Sequence, residues 1–458
     1  MRVTVIETPD LGDRSYVVSD DTCAVVIDPQ RDLDRVQAVL AGLGVPAVLV
    51  LETHLHNDYV TGGLALSLAT GAEYVVAARD EVAFPRRGVR EGDELIAGTL
   101  TVRVVETPGH TDTHVSYVVG DGTGPDVVFS GGSLLYGSVG RTDLLGTDRT
   151  DELTRKQWHS ARRLADLLDD DVALYPTHGF GSFCSSGGAS GGTDSTIGRE
   201  RQRNDALTTA DEQDFVDTLV AGLTGYPTYY AHMGPRNAAG PTAPDLTPPS
   251  AVDPEELARR LRDGQWVLDL RDRTAYARSH LMGSVSIELG PQFSTYVGWV
   301  VPWGAPLTLL GQTPEQVSEA QRQLVRIGVD ELAGATSGPL GELAEGVELR
   351  TYPRVAFTDV ATADVLGDPA AVLLDVRRDD ERARGFVAGS QHVPLSELPE
   401  RIGELSAERV FVHCGSGFRA AIAASLLDRA EVHVVHVDDD FAAAEKAGLT
   451  VTRHEENA

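Results

Sequence analysis

LDLRDRTAYARSHLMGS, residues 268–284, returns as LDVRRDDERARGFVAGS at 374–390. Asp269 and Asp375, Arg271 and Arg377, and Gly283 and Gly389 keep one spacing. Each copy runs on into an apolar strand, PLTLL at 306–310 and VFVH at 410–413, and then into an amphipathic helix. A segment repeated together with its flanking strand and helix has to fold the same way twice. Residues 251–345 and 353–458 are therefore read as two copies of one α/β domain, each built by strand–helix alternation around a parallel sheet. The copies part at one place. After its strand the second reads CGSGFRA and the first GQTPEQV, so only the second can carry out thiol chemistry.

In HCGSGFRAAIAASLL, Cys414 follows a buried strand and a helix begins near Phe418. A helix N-terminus and nearby backbone N–H groups favour thiolate over thiol. Gly415 and Gly417 let the loop through Ser416 curl with its amides inward, as an anion nest. Arg419 adds a fixed positive charge. Four residues separate Cys414 from Arg419, one fewer than a phosphotyrosine phosphatase needs to ring a phosphate. The smaller cradle suits a single sulfur atom on Cys414. The loop, the Asp-x-Arg segments and their downstream Gly-Ser resemble the rhodanese family. That resemblance implies a persulfide on Cys414, with Gly415, Ser416, Gly417, Phe418 and Arg419 around it.

The first half holds more strands than helices. Strands are expected at 2–6, 14–18, 23–28, 47–52, 73–78, 99–106, 114–119, 126–130 and 172–176, and helices at 33–43, 62–70, 151–168 and 211–222. Polar strings follow the apolar strands: His54, His56 and Asp58 in THLHNDY, His110 in TPGHTDTH, Arg141 and Asp143 in GRTD, and His178 in YPTHGFG. Strings at several strand ends can converge on one sheet edge, and histidines gathered that way point to a metal. The set resembles the metallo-β-lactamase fold in its glyoxalase II and persulfide dioxygenase branch. It implies an αββα domain over 1–235, with His54, His56 and His110 at one metal position and Asp58, residue 59 and His178 at a second, and with Arg141 beside the persulfide substrate. Two departures matter. Tyr59 stands in place of an imidazole, and Gly132 in place of a carboxylate that would bridge two metals or complete a mononuclear iron site. A binuclear hydrolase needs both residues. A single ion remains open, with either Asp58 or a third histidine completing it. Cys184, six residues after His178, is read as a thiol in a loop over the site that contacts or accepts sulfur, or as a plain loop thiol. Cys23, in TCAVVID, reads as core.

GPRNAAGPTAPDLTPPSAVDP at 234–254 reads as a linker, with 236–250 as its body. Three widely spaced cysteines are no disulfide framework, and the first residues carry no leader pattern, so a cytoplasmic protein is expected. A net charge of −30 argues against nucleic acid or an anionic membrane as partner. Taken together, the resemblances imply an αββα metallo-β-lactamase fold followed by two α/β rhodanese-like domains, the first lacking the cysteine. The expected activity is oxidation of a low-molecular-weight persulfide to sulfite with O2 at one Fe(II) per chain, zinc being the alternative, and sulfur transfer through Cys414 that makes or uses thiosulfate. Other readings are a sulfurtransferase alone, a mononuclear-metal thioester hydrolase, and a noncatalytic sulfide sensor with Cys414 as its switch. Self-association as a homo-oligomer stays open.

Overall fold

The computed structural model describes residues 1–187 and 192–453. They form two compact units, Met1–Asp245 with Leu324–Gly328, and Leu246–Gln323 with Val329–Ala458.

The first unit is a four-layer αββα sandwich. One six-stranded sheet runs Arg2–Thr8, Asp13–Ser19, Ala24–Ile27, Ala47–Leu51, Glu73–Ala77 and Arg87–Val89 in order. The other runs Ser195–Thr196, Ala173–Pro176, Val127–Gly131, Val115–Gly120, Leu100–Glu106 and Glu94–Ala97. Successive strand residues point to opposite faces, and here both faces are buried. Tyr16, Val18, Val25, Ile27 and Leu51 meet Val102, Val104, Tyr117 and Phe129 between the sheets, with Cys23 among them. Their neighbours Val17, Val26 and Val50 pack outward with Val36, Leu40 and Leu66, from the helices Asp34–Leu43 and Gly63–Thr70. Val118, Val128 and Leu174 of the second sheet pack with Ala161, Leu164 and Phe215, from Thr150–Leu167 and Glu212–Gly222. The short strands at 87–89 and 94–97 were not expected from pattern.

The expected linker needs one correction. Helix Tyr230–Ala239 occupies its start, with Pro235 inside. Its Pro and Gly read as breakers, but Asn237 compensates. That side chain is buried, donates to the carbonyls of His56 and Tyr59 (both 2.9 Å), and accepts the Thr61 N–H at 3.0 Å.

The second unit contains the repeat. Strands Val285–Ser286, Trp266–Asp269, Leu307–Gly311 and Leu332–Ser337 form one parallel sheet. Gln391–His392, Ala371–Asp375, Arg409–His413, Val434–Val437 and Arg354–Val355 form the other. Leu268 pairs with Val285 as Leu374 pairs with Gln391, so the two copies share strand order and register. In each, the Arg side chain donates to both oxygens of the buried Asp two residues earlier, Arg271 to Asp269 and Arg377 to Asp375. Among the described residues no helix is long and apolar enough to cross a membrane.

Candidate functional site

His54 and His56 follow strand Ala47–Leu51, His110 follows Leu100–Glu106, and His178 follows Ala173–Pro176. Asp28, just after Ala24–Ile27, ties two of these ends together. It adopts a left-handed φ of 49°, which Asp tolerates. Its carboxylate accepts the Thr53 N–H (2.7 Å), the Thr53 hydroxyl (2.8 Å) and the Thr177 hydroxyl. All four histidines are buried.

Their partners fix the tautomers. His110 Nδ1 faces the Arg141 carbonyl at 2.7 Å, and His178 Nδ1 faces Asp13 at 2.9 Å and Asp58 at 3.1 Å. Those oxygens can only accept, so each Nδ1 carries the proton. His54 Nδ1 lies 2.9 Å from the Thr53 hydroxyl, whose own proton goes to Asp28, so it too donates. That leaves the three Nε2 atoms without a carbonyl or carboxylate partner. His54 Nε2 and His178 Nε2 stand 3.3 Å apart, and His110 Nε2 is buried without a partner. Two nitrogens bound to one ion at about 2.1 Å in tetrahedral geometry stand about 3.4 Å apart. Facing lone pairs at this distance need a positive charge between them. A proton on His178 supplies it in the free protein, because Asp58 and Asp13 raise its affinity despite burial. A metal ion fits the same place, with carboxylates behind His178 as in many metal sites. Burial and the neighbouring imidazoles push His54 down, and burial and His178 push His110 down to about 3. Both are neutral, as ligands must be.

Three groups of donors share His178. His54, His56 and His178 form one, His110, His178 and Cys184 a second, and Asp13, Asp58 and His178 a third; Asp28, Glu52 and His56 form a further group, each with donor atoms within 4.8 Å of one another. His56 belongs to two groups: its Nδ1 is buried without a partner, while its other nitrogen turns to carboxylates. Its Nε2 lies 3.3 Å from Asp28 and 3.2 Å from Glu52. Burial opposes its charge, but these two carboxylates outweigh that and raise it to about 9. Tyr59 is no ligand. Its ring stacks on His56 at 4.2 Å and its hydroxyl reaches the Asp28 carbonyl at 3.4 Å. At Gly132 a Cβ would overlap the His110 ring. We expect Gly132→Ala to lower stability by about 1–3 kcal/mol through overpacking and to weaken metal binding, read by denaturation and by metal titration. His114, four residues past His110, is satisfied by Thr107 and the Gly132 N–H.

Arg141 was expected beside substrate. Its guanidinium is instead taken up by Asp143 (2.6 and 2.7 Å) and by the carbonyls of Phe183 (3.0 Å) and Thr224 (2.7 Å). It braces the Cys184 segment. Cys184 is fully buried, and burial with Asp58 and Asp13 nearby raises its thiol well above the ordinary value. The far end of that Gly- and Ser-rich segment, from residue 188, lies outside the described residues. Sequence reasoning missed Asp13, Asp28, Glu52 and Asn237, which hold the ligands and carry no motif of their own. Only their buried polarity marks them.

In the second unit Cys414 follows strand Arg409–His413 and is 1% exposed. The helix Phe418–Arg429 begins at Gly417, whose φ of 85° and close approach to Asp438 leave no room for a side chain. The Gly415 carbonyl accepts Phe441 N–H and the Gly417 carbonyl faces His436 Nε2, both at 2.9 Å, which sets the curl of the loop. Gly311 takes the corresponding place in the first copy. Arg419 differs from expectation. Both its terminal nitrogens bind Glu381, at 2.5 and 2.7 Å, so it fastens the loop and offers no free charge to an anion. Tyr296, from the cysteine-less copy, places its ring 5.2 Å from Phe418.

Residues 10–178 match the Metallo-beta-lactamase superfamily and residues 361–447 the Rhodanese-like domain. The chain is 30% identical over 205 residues to the mitochondrial persulfide dioxygenase ETHE1 of Homo sapiens, covering 44% of this chain and 72% of that protein. It is 34% identical over 126 residues to the hydroxyacylglutathione hydrolase of Albidiferax ferrireducens, covering 28% of this chain and 49% of the hydrolase, about half its length. A solved metallo-beta-lactamase from Staphylococcus aureus subsp. aureus COL superposes with a TM-score of 0.66 at 25% identity, over 74% of this chain and 99% of that one. The first unit's sandwich, its histidine strings and these likenesses agree: the chain belongs to the ETHE1 persulfide dioxygenase family of the metallo-β-lactamase superfamily and carries a rhodanese-like domain behind it.

Proposed function

We propose that this chain oxidises a low-molecular-weight persulfide, such as glutathione persulfide, to sulfite with O2 in the first unit and transfers sulfane sulfur through Cys414 in the second. The observation that carries this reading is the cluster of buried imidazoles around His178, with His56 Nδ1 and His110 Nε2 left without partners, on a chain that also carries the Cys414 loop. His54, His56, His110 and His178 are the imidazoles that would hold one ion, Fe(II) in this reading. When bound, the ion supplies oxygen activation and polarises the substrate sulfur. Asp13 and Asp58 orient His178, and Asp28 with Asn237 keeps the histidine loop in place. At Cys414 the thiolate attacks the outer sulfur of a donor, the donor S–S bond breaks, and the donor thiolate or sulfite leaves. Passing that sulfur to sulfite makes thiosulfate and returns the Cys414 thiolate. Carrying both activities on one chain raises the local concentration of the shared intermediate. Tyr59 and Gly132 weigh against a binuclear thioester hydrolase.

A second reading is favoured by Gly132, which leaves the imidazoles without a carboxylate there: sulfur transfer alone, with the first unit a non-oxidising metal site. Oxygen uptake after addition of glutathione persulfide, on protein of known iron content, separates the two. We expect uptake that scales with iron and disappears in His110→Ala. An iron-loaded chain that consumes no oxygen yet still transfers sulfur would establish the second reading instead.

A further inference from the structure

Three neutral imidazoles do nothing to offset the double charge of a divalent ion. Position 132 offers no side chain, and Asp58, which receives His178 at 3.1 Å and Ser182 at 3.2 Å through Oδ2, keeps a buried Oδ1 with no partner. Cys184 is a second buried donor here that can carry negative charge. Its sulfur lies with the His110 and His178 donor nitrogens inside a 4.8 Å cluster. Nitrogen and sulfur bound at about 2.1 and 2.3 Å in tetrahedral geometry stand about 3.6 Å apart, so the donors would close in on an ion. His110 Nε2, fully buried, points into this cluster with no partner. One residue fixes both neighbours. The Arg141 carbonyl accepts His110 Nδ1–H at 2.7 Å, and the Arg141 N–H donates to the Cys184 carbonyl at 2.9 Å. The Cys184 N–H is anchored on Ser182 Oγ at 3.1 Å, and Arg141 Nη1 holds the Phe183 carbonyl at 3.0 Å. The thiol is thus held toward the imidazoles from both sides of its own peptide.

We propose that Cys184 is a ligand, binding as thiolate beside His110 and His178 for a borderline-soft divalent ion such as Zn²⁺, Co²⁺ or Fe²⁺. The inference rests on the metal reading above and specifies its donor set. On binding, the S–H bond breaks, the sulfur keeps the electron pair and donates it to the ion, and the proton leaves to solvent. The thiolate supplies the negative charge that position 132 does not.

The full-length chain, stripped of metal and loaded with Co²⁺, gives the test. We expect stoichiometric uptake with a near-ultraviolet sulfur-to-cobalt charge-transfer band. The band should be kept in Cys414→Ser and lost in Cys184→Ser, while visible cobalt bands remain. Zinc-edge X-ray absorption of the unsubstituted, zinc-loaded chain needs no variant and should show one sulfur at about 2.3 Å. Bound metal with neither the band nor that sulfur shell overturns the ligand assignment and leaves the metal reading standing. No metal uptake in equilibrium dialysis overturns both.

Discussion

Cys414→Ser lowers thiosulfate:cyanide sulfurtransferase turnover by on the order of 10³-fold or more, as loss of a nucleophile does in other enzymes, and leaves metal uptake unchanged. The exchange is nearly isosteric at a residue 1% exposed, so folding should survive. What disappears is a polarisable sulfur nucleophile able to hold a second sulfur. The surroundings offer it donors. The first helical bond runs from Ala421 N–H to the Gly417 carbonyl, so the N–H groups of Phe418, Arg419 and Ala420 have no partner inside the helix. Mass spectrometry supplies the complementary reading. Treated with thiosulfate, the unsubstituted chain should gain one sulfur atom on the peptide that carries Cys414, and the serine variant none. Retained turnover in Cys414→Ser would move the sulfur-transfer chemistry to another thiol.

The strands and the repeat were readable because burial imposes period and composition on contiguous residues. Ala24–Ile27 and Ala47–Leu51 are apolar throughout since both of their faces are covered, and the Asp-x-Arg repeat marks two sheets of equal register. The histidine strings were readable because strand ends deliver them to one edge. The side-chain directions were not. Which nitrogen His56 keeps free depends on a carboxylate four residues earlier, on Asp28 from another strand and on Tyr59 stacking above it. The helix Tyr230–Ala239 hides behind Pro235 and Gly234. Its formation depends on Asn237 finding three backbone partners far away in sequence. Arg141 and Arg419 look like anion binders in one dimension. Both turn out to be held by carboxylates, Asp143 two residues on and Glu381 on a different segment.

Glu381→Gln should cost about 1.5–3 kcal/mol in unfolding of the second unit, the range for hydrogen bonds to a charged group in a half-buried pair. Sulfur transfer should fall with it. Arg419 keeps 13% side-chain exposure and lies between the Cys414 loop and the segment of Glu381. Burial works against its charge, and the Glu381 carboxylate outweighs that and raises its affinity for the proton. A neutral amide can accept through its one oxygen but cannot match both guanidinium nitrogens or balance their charge. The loop that shapes the Cys414 cradle would then lose its fastening at Arg419, two residues past Gly417. In a double-mutant cycle with Arg419→Gln, the combined loss should be smaller than the sum of the single losses, since each single change leaves the other partner uncompensated. The two roles open to Arg419 predict opposite kinetics. If it fastens the loop, Glu381→Gln lowers kcat and stability together. If its charge serves the sulfur anion directly, Glu381→Gln would release it toward thiosulfate, leave stability nearly unchanged and lower KM.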